Sequence, residues 1–401
     1  MNDSVDYCVI GGGIMGASLA REIAHRKPDA SIVVLDKEPA LGQHASGRNS
    51  GVLHAGFYYA PDSLKAHLTA RGNQLLRQFC DSRQVPVRSC GKVVVATDEG
   101  QLPALDQLVE RGRANGVRLE VVDEAGLRNI EPLAHTVGRA IWSPDTAVAD
   151  PDEVMTALHQ DLQSAAVTVR TGALVTAARD GLVTTTAGRI TAGHIINAAG
   201  LHADVVGQWF GFCDDYVMLP FKGLYWYGGP GAPALRHHVY PVPDPRNPFL
   251  GVHFTVTAHG GVKVGPTAIP VLWREAYSGL SRFDRAEAAA ITRAYPRFLR
   301  SEHHDVPALI RSEVPKYSRR YLVKQAQALV PSAQARDFPK KGKPGIRAQL
   351  MHVRTGRLEM DFVVRGDAAS THVLNAVSPA WTSSLAFAEY VADDMGNRGA
   401  I

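Results

Sequence analysis

Three glycines spaced as Gly11-x-Gly13-x-x-Gly16, with Ile14 and Met15 before the last, stand where an apolar run gives way to a helical pattern. Glycines at this spacing let the backbone turn tightly and approach a pyrophosphate at a helix N-terminus, where free amides and the helix dipole favour negative charge. Asp36 lies about 20 residues beyond Gly16, closes the next apolar run and precedes Lys37. An acid at that point can hold a ribose hydroxyl. A glycine turn that only packs helix on strand would account for the spacing but not for the acid. The combination specifies a bound dinucleotide.

Three further loops are dense in small residues. Gln43 to Gly56 contains Ser46, Asn49, Ser50, Gly51 and Val52, and can pass close beneath a flat ring system. Asn197-Ala198-Ala199-Gly200 follows an apolar strand. Asn375 to Ser384 opens the last helix with Ser378, Pro379, Ala380, Trp381 and Thr382, where amides and the positive dipole end suit ring oxygens. A simple nicotinamide domain needs none of these loops, so the expected cofactor is FAD. Val175 is also placed among the cofactor contacts.

His54, in the first loop, is the candidate base. Removing the hydroxyl proton of a 2-hydroxy acid lets hydride leave Cα for flavin N5, and imidazole is suited to that near neutrality. The alternative is a histidine that only bonds to the flavin. His253, between apolar residues, is the second candidate, or a satisfied core histidine. Arg347 has small neighbours, Gly345 and Ala348, and can clamp a carboxylate bidentately; Lys222 can add a point charge. Surface ion pairs are the usual fate of such residues, but neither lies in a charge run. Tyr58, Tyr59 and Tyr240 can donate hydrogen bonds, although aromatics in such contexts commonly pack. Lys65 and His67 receive no role. No zinc spacing is present, so no metal is expected, and Cys8, Cys80, Cys90 and Cys213 read as free thiols.

The elements that must position these residues begin as β-α-β. Asp6–Ile10 and Ser31–Leu35 are continuous apolar runs suited to a parallel sheet covered on both faces. Helices are predicted from Ser63 to about Asp81, from Leu102 to about Asn115, and after Asp150-Pro151, where Asp caps and Pro starts the helix. Aromatic strands are predicted at 223–227 and 249–254, and two helical stretches after Asp284. A strand at 372–375 and a helix to about Asn397 close the chain.

The 401 residues suit two intimately joined units, and the net charge of +4 with no long basic run gives no nucleic-acid footprint. Lys340 to Lys343 reads as a solvated loop, with weak contact to anionic lipid as the alternative. Neither a secretory signal nor a membrane-spanning segment is read, so a cytoplasmic protein, at most peripheral on the inner membrane, is expected.

The order of motifs resembles the D-amino-acid oxidase superfamily of FAD-dependent oxidoreductases and, within it, the L-2-hydroxyglutarate oxidase/dehydrogenase family. The resemblance is carried by 46–60 with 63–66, Cys90-Gly91-Lys92, 220–223, 240–245, 248–255, 264–266, 274–277, 345–349 and 375–384. It departs at Lys222-Gly223-Leu224, Thr267, Val377 and Trp381, and is poor from Ser278 to Ala335.

The resemblance implies an α/β fold. A Rossmann-like FAD-binding domain is assembled from 1–88, 150–215 and 341–401, and an α+β substrate domain on a mixed or antiparallel sheet from 89–149 and 216–340. It also implies FAD-dependent oxidation of a short L-2-hydroxy acid, foremost L-2-hydroxyglutarate, with oxygen, a quinone or an electron-transfer protein as acceptor. An amino or imino acid oxidase is the alternative with the same cofactor, and a non-catalytic flavin-binding protein the alternative from another class.

Overall fold

The computed structural model describes residues 3–401. Its first sheet has eight strands. Ser370–Asn375, Gly188–Asn197, Asp3–Ile10, Ile32–Leu35 and Thr168–Arg170 run parallel in that spatial order. Val175–Arg179 and Leu182–Thr185 add an antiparallel ribbon on Gly188–Asn197, and Val363–Gly366 pairs with Ser370–Asn375.

Side-chain alternation decides what covers each face. Tyr7, Val9, Ile32 and Val34 pack with Leu19, Ile23, Leu76, Leu158 and Phe387, from the helices Ile14–Arg26, Leu64–Ser82, Pro151–Ser164 and Ala380–Asn397. Cys8, Ile10, Val33 and Leu35 pack with Ala178, Val183 and Val206 on the other face. Two buried faces explain the unbroken apolar runs. Asp150 caps its helix through the amides of Asp152 and Glu153. The carboxyl ends of the parallel strands run directly into Gly11, Asp36, Ala198 and Ala376, the edge at which ligands bind in open α/β sheets.

The second large sheet is mixed. Its order is Lys340–Lys341, Trp226–Tyr227, Val262–Gly265, His253–Val256, His238–Pro241, Lys92–Val95, Arg139–Ser143 and Glu120–Asp123. Register divides its middle strands into two unlike faces. Val93, Val95, Val239, Phe254, Val256, Val262 and Val264 pack with Leu322, Val323, Leu329 and Phe338. The opposite face carries Lys92 beside His238, Tyr240, His253, and Thr255 opposite Lys263, all buried.

A third sheet joins the two. Tyr216–Gly223 pairs antiparallel with Gly345–His352, placing Phe221 opposite Arg347 and Lys222 opposite Ile346. The chain from 340 onward therefore serves these three sheets, because Lys340–Lys341, Gly345–His352 and Ser370–Asn375 each enter a different one, while Val52–Leu53, Ala147–Ala149 and Val87–Arg88 form a small fourth.

Three expectations for local structure are revised. The aromatic run 223–227 is not one strand: Tyr216–Gly223 ends, Leu224 and Tyr225 turn, and Trp226–Tyr227 enters the mixed sheet. Leu224 donates its amide to Thr267 Oγ1 at that turn. In 249–254, regular pairing starts only at His253. Three helices, Arg285–Leu299, Val306–Glu313 and Arg319–Ala326, follow Asp284 rather than two. No helix among the described residues is long and apolar enough to cross a membrane.

A buried ion pair ties the segment after 270 to the parallel-sheet unit. The Arg274 guanidinium donates to both Asp204 oxygens at 2.7 and 3.0 Å and to the Leu201 carbonyl at 2.6 Å. Asp204 also accepts the Met218 amide at 2.8 Å. Glu287 Oε1 also lies 3.0 Å from Arg274 Nε, so the arginine keeps one carboxylate when Asp204 is removed. Asp204→Ala is expected to lower stability by about 1.5–3 kcal/mol, the worth of charge-assisted hydrogen bonds, in denaturant unfolding. A loss below about 1 kcal/mol, the range of exposed pairs, would show that water compensates Arg274.

Candidate active site

At the carboxyl edge of the parallel sheet lies a cavity of about 430 Å³. Its walls come from the first glycine loop, Asp36, the 44–54 loop, 198–206, the Met218–Tyr225 strand end, 266–268, 345–348 and 373–382. Among the expected cofactor contacts, Gly11, Gly13, Ile14, Met15, Asp36, Lys37, Ser46, Asn49, Ser50, Val52, Val175, Ala199, Gly200, Ser378, Pro379, Ala380, Trp381 and Thr382 line it. Gly16 and Gly51 do not. Gly16 has to lack a side chain because a Cβ there would lie 1.9 Å from the Gly11 carbonyl oxygen. Gly51 turns the loop at φ +74° and presents Ser50 and Val52 to the cavity.

The cradle is closely fitted. Gly11 has φ +108°, and a Cβ on it would meet the Ala198 carbonyl oxygen at 2.4 Å. Ser46 Oγ accepts the Ile14 amide at 2.8 Å, tying the ring-side loop to the helix start. Asp36 accepts the amides of Gly12 and Glu38, both at 2.9 Å, and burial raises its pKa. Thr382 donates to the Val52 carbonyl at 3.0 Å and accepts the His54 amide at 3.1 Å, so the last helix holds the 44–54 loop in place.

A network of charges fastens the 274–283 segment beside the nucleotide end. Glu275 pairs with Lys37 and, at 2.7 Å, with Arg282; Arg282 also pairs with Glu38. His44 contacts Tyr277 Oη at 2.8 Å and Glu38 at 2.9 Å, and Arg48 lies over the Tyr277 ring. The Arg282 guanidinium holds Glu38 down to about 2.

His54 lines the cavity, and its backbone is pinned on its other side by Asn73, whose amide donates to the His54 carbonyl at 3.1 Å. Its Nδ1 is buried without a partner. Burial holds its pKa well below 6.5, with Lys92, His253 and His238 acting in the same direction. Arg347 faces the same cavity from its strand, 4.9 Å from the Phe249 ring, with no hydrogen bond or ion pair among the described residues. Tyr225, unassigned from the sequence, joins the lining with Thr267; its position in a sheet-switching turn gave no periodic signal.

Four other expected residues stand elsewhere. Lys222 does not line this cavity. Phe221 and Gly223 do, and strand alternation sends the lysine to a separate cavity with Trp273, Tyr317 and Lys341. Tyr58, Tyr240 and His253 sit behind His54 at the polar face of the mixed sheet, with Tyr240 and His253 stacked at 3.8 Å. His253 Nδ1 is bonded to the Gly251 carbonyl at 2.8 Å, the arrangement of a satisfied histidine.

A parallel sheet with a glycine cradle, small-residue loops around one cavity, and the strands Tyr216–Gly223 and Gly345–His352 along its wall define a dinucleotide-dependent oxidoreductase. The FAD dependent oxidoreductase family model matches residues 6–394, and the chain belongs to that family. It is 36% identical to the mitochondrial L-2-hydroxyglutarate dehydrogenase of Nematostella vectensis, over 99% of this chain and 91% of that one. It is also 36% identical to L-2-hydroxyglutarate dehydrogenase of Indibacter alkaliphilus, over 96% and 97%. Its fold is similar to FAD-bound L-alpha-glycerophosphate oxidase of Mycoplasma pneumoniae, with TM-score 0.79, 21% identity and coverage of 98% and 95%.

The cradle fits FAD, since Gly11 and Gly16 leave backbone where a side chain would stand and the small-residue loops line the same cavity. Gly11→Ala is therefore expected to purify without the visible absorption of bound flavin while keeping wild-type far-ultraviolet circular dichroism. A variant as yellow as wild type would show that the close approach is dispensable.

Proposed function

We propose that this chain oxidises L-2-hydroxyglutarate to 2-oxoglutarate and passes the electrons to oxygen, a quinone or an electron-transfer protein. The observation that carries this reading is an arginine without a counter-ion, Arg347, facing the same cavity as a histidine with a free buried nitrogen, His54. FAD, when bound, accepts the two electrons that leave the substrate carbon. His54 accepts the hydroxyl proton at Nδ1 as the C–O bond gains double-bond character. Arg347 holds the carboxylate beside that carbon and fixes its orientation. The small-residue walls and the buried sheet face exclude water. The names of the relatives, L-2-hydroxyglutarate dehydrogenase, support this choice of substrate.

Mixing the oxidised enzyme with L-2-hydroxyglutarate without oxygen should bleach the flavin band. No bleaching at millimolar concentration would sink the substrate assignment, and bleaching by a 2-amino acid instead would move the chemistry to a C–N bond. Arg347→Ala should keep FAD and lose about one to two decades in kcat/KM, with Arg347→Lys rescuing partly because it lacks the planar fork. A turnover like wild type would make Arg347 a structural residue.

The pH dependence has a definite sign. A base acts when neutral, and a pKa well below 6.5 keeps His54 neutral to lower pH. The rate of flavin reduction should therefore hold as pH is lowered to 6.5, as read by stopped-flow absorbance. An acid limb centred at or above that value would contradict His54 as the base.

A further inference from the structure

The polar face of the mixed sheet contains a lysine with nothing to answer its charge. Lys92 has no exposed surface, and its Nζ has no hydrogen-bond partner. Ring centroids of Phe57, Tyr58 and Tyr240 surround Nζ at 4.5, 4.4 and 4.9 Å. None of the residues sharing this face, His238, Tyr240, His253, Thr255 and Lys263, is an acid. Three more buried polar atoms in the same neighbourhood lack partners: His54 Nδ1, Tyr58 Oη and Thr255 Oγ1. Buried polar groups in folded chains are normally satisfied, so these four call for partners that the surrounding side chains do not supply.

We infer that Lys92 binds the second carboxylate of the substrate, so that the site selects a 2-hydroxy dicarboxylate over a 2-hydroxy monocarboxylate of equal length. This rests on the 2-hydroxy acid reading given above. Arg347 takes the carboxylate next to the reacting carbon, which leaves the far carboxylate to find a donor set. Lys92 lies over the Tyr240 ring, on which His253 is stacked at 3.8 Å, and Lys92 and Arg347 both disfavour protonation of His253. A carboxylate admitted beside Tyr58 meets an ammonium and a hydroxyl, both without competing partners. Charge pairing there also reverses the burial that pushes the Lys92 amine down to about 7. The aromatic cage compensates the bare cation in part. A monocarboxylate would leave Lys92 unanswered, and rejection of a ligand that leaves buried polar groups unpaired is the strongest form of discrimination.

The test compares two substrates and two non-reacting ligands. Wild type and Lys92→Met are reduced anaerobically with L-2-hydroxyglutarate and with L-2-hydroxypentanoate, in which a methyl group replaces the far carboxylate. Calorimetry measures binding of glutarate and of pentanoate to the oxidised holoenzymes. The expected result is a loss of about ten-fold or more in kcat/KM for L-2-hydroxyglutarate and in glutarate affinity, with the monocarboxylates changed by less than about two-fold. Lys92→Arg should keep the preference for dicarboxylates. Equal losses for both substrates, or no change in either, would overturn the inference and leave Lys92 as a packing residue. If Lys92→Met is recovered without FAD, Lys92→Gln carries the same ratio. A wild type reduced by neither substrate refutes the 2-hydroxy acid reading, while the glutarate-to-pentanoate affinity ratio still decides the role of Lys92.

Discussion

An ammonium group buried without a counter-charge is unfavourable, and this chain places two of them, Lys92 and Lys263, on one face of one sheet. That face has to be covered, because water would otherwise enter beside the reacting atoms. Apolar packing covers only its Val94 end, against Leu105, Leu108 and Ile141; the histidines, hydroxyls and amines would lose their hydration under such packing without compensation. Part of the cover comes from the other unit, where Phe57 and Tyr58 lie over Lys92 and the 44–54 loop presents His54; Tyr225, from the sheet's own unit, lies over Lys263. The opposite face of the same sheet is wholly apolar and supplies the anchoring core with Leu322, Leu329 and Phe338. One face holds the sheet in the molecule, and the other carries the buried amines and histidines whose charges act on His54.

The two units are then locked by charges that differ in burial and therefore in strength. Arg274 and Asp204 form a closed, dry pair with additional backbone acceptors and donors. Lys37, Glu38, His44, Glu275 and Arg282 form an open network at the nucleotide end, with Arg282 half exposed. The sequence motif Arg274-Glu275-Ala276-Tyr277 thus has a mechanical meaning. Its arginine reaches one way into the first pair, and its glutamate and tyrosine reach the other way into the second.

Local signals were legible in the sequence wherever a single segment determined the outcome. The glycine cradle, Asp36, the Asp150 cap and the small-residue loops each depend on a few adjacent residues, and their places could be read directly. Lys222 stands apart from the expected neighbours because its strand presents Phe221 and Gly223 to the cavity and the lysine to a separate one. The run 223–227 misled because aromatic content says nothing about which sheet a residue joins. The polar sheet face was legible only in pieces: His253 and Tyr240 stand out singly, and Lys92 only within a motif. Lys92, His238, Tyr240, His253 and Lys263 come from four strands spread over much of the chain, and only register brings them together.

The central parallel sheet has a consequence for how the protein is made. Its strand Gly188–Asn197 is flanked on one side by Asp3–Ile10 and, over its final residues, by Ser370–Asn375 on the other. Until residue 375 has left the ribosome, that flank is an open edge able to pair with another chain. The helix Ala380–Asn397, which contributes both the floor beneath Val52 and the packing against the first two helices, is delivered later still. Cofactor loading is thereby a late event, and a polypeptide released early would present an unfinished sheet to quality control rather than a partly active enzyme.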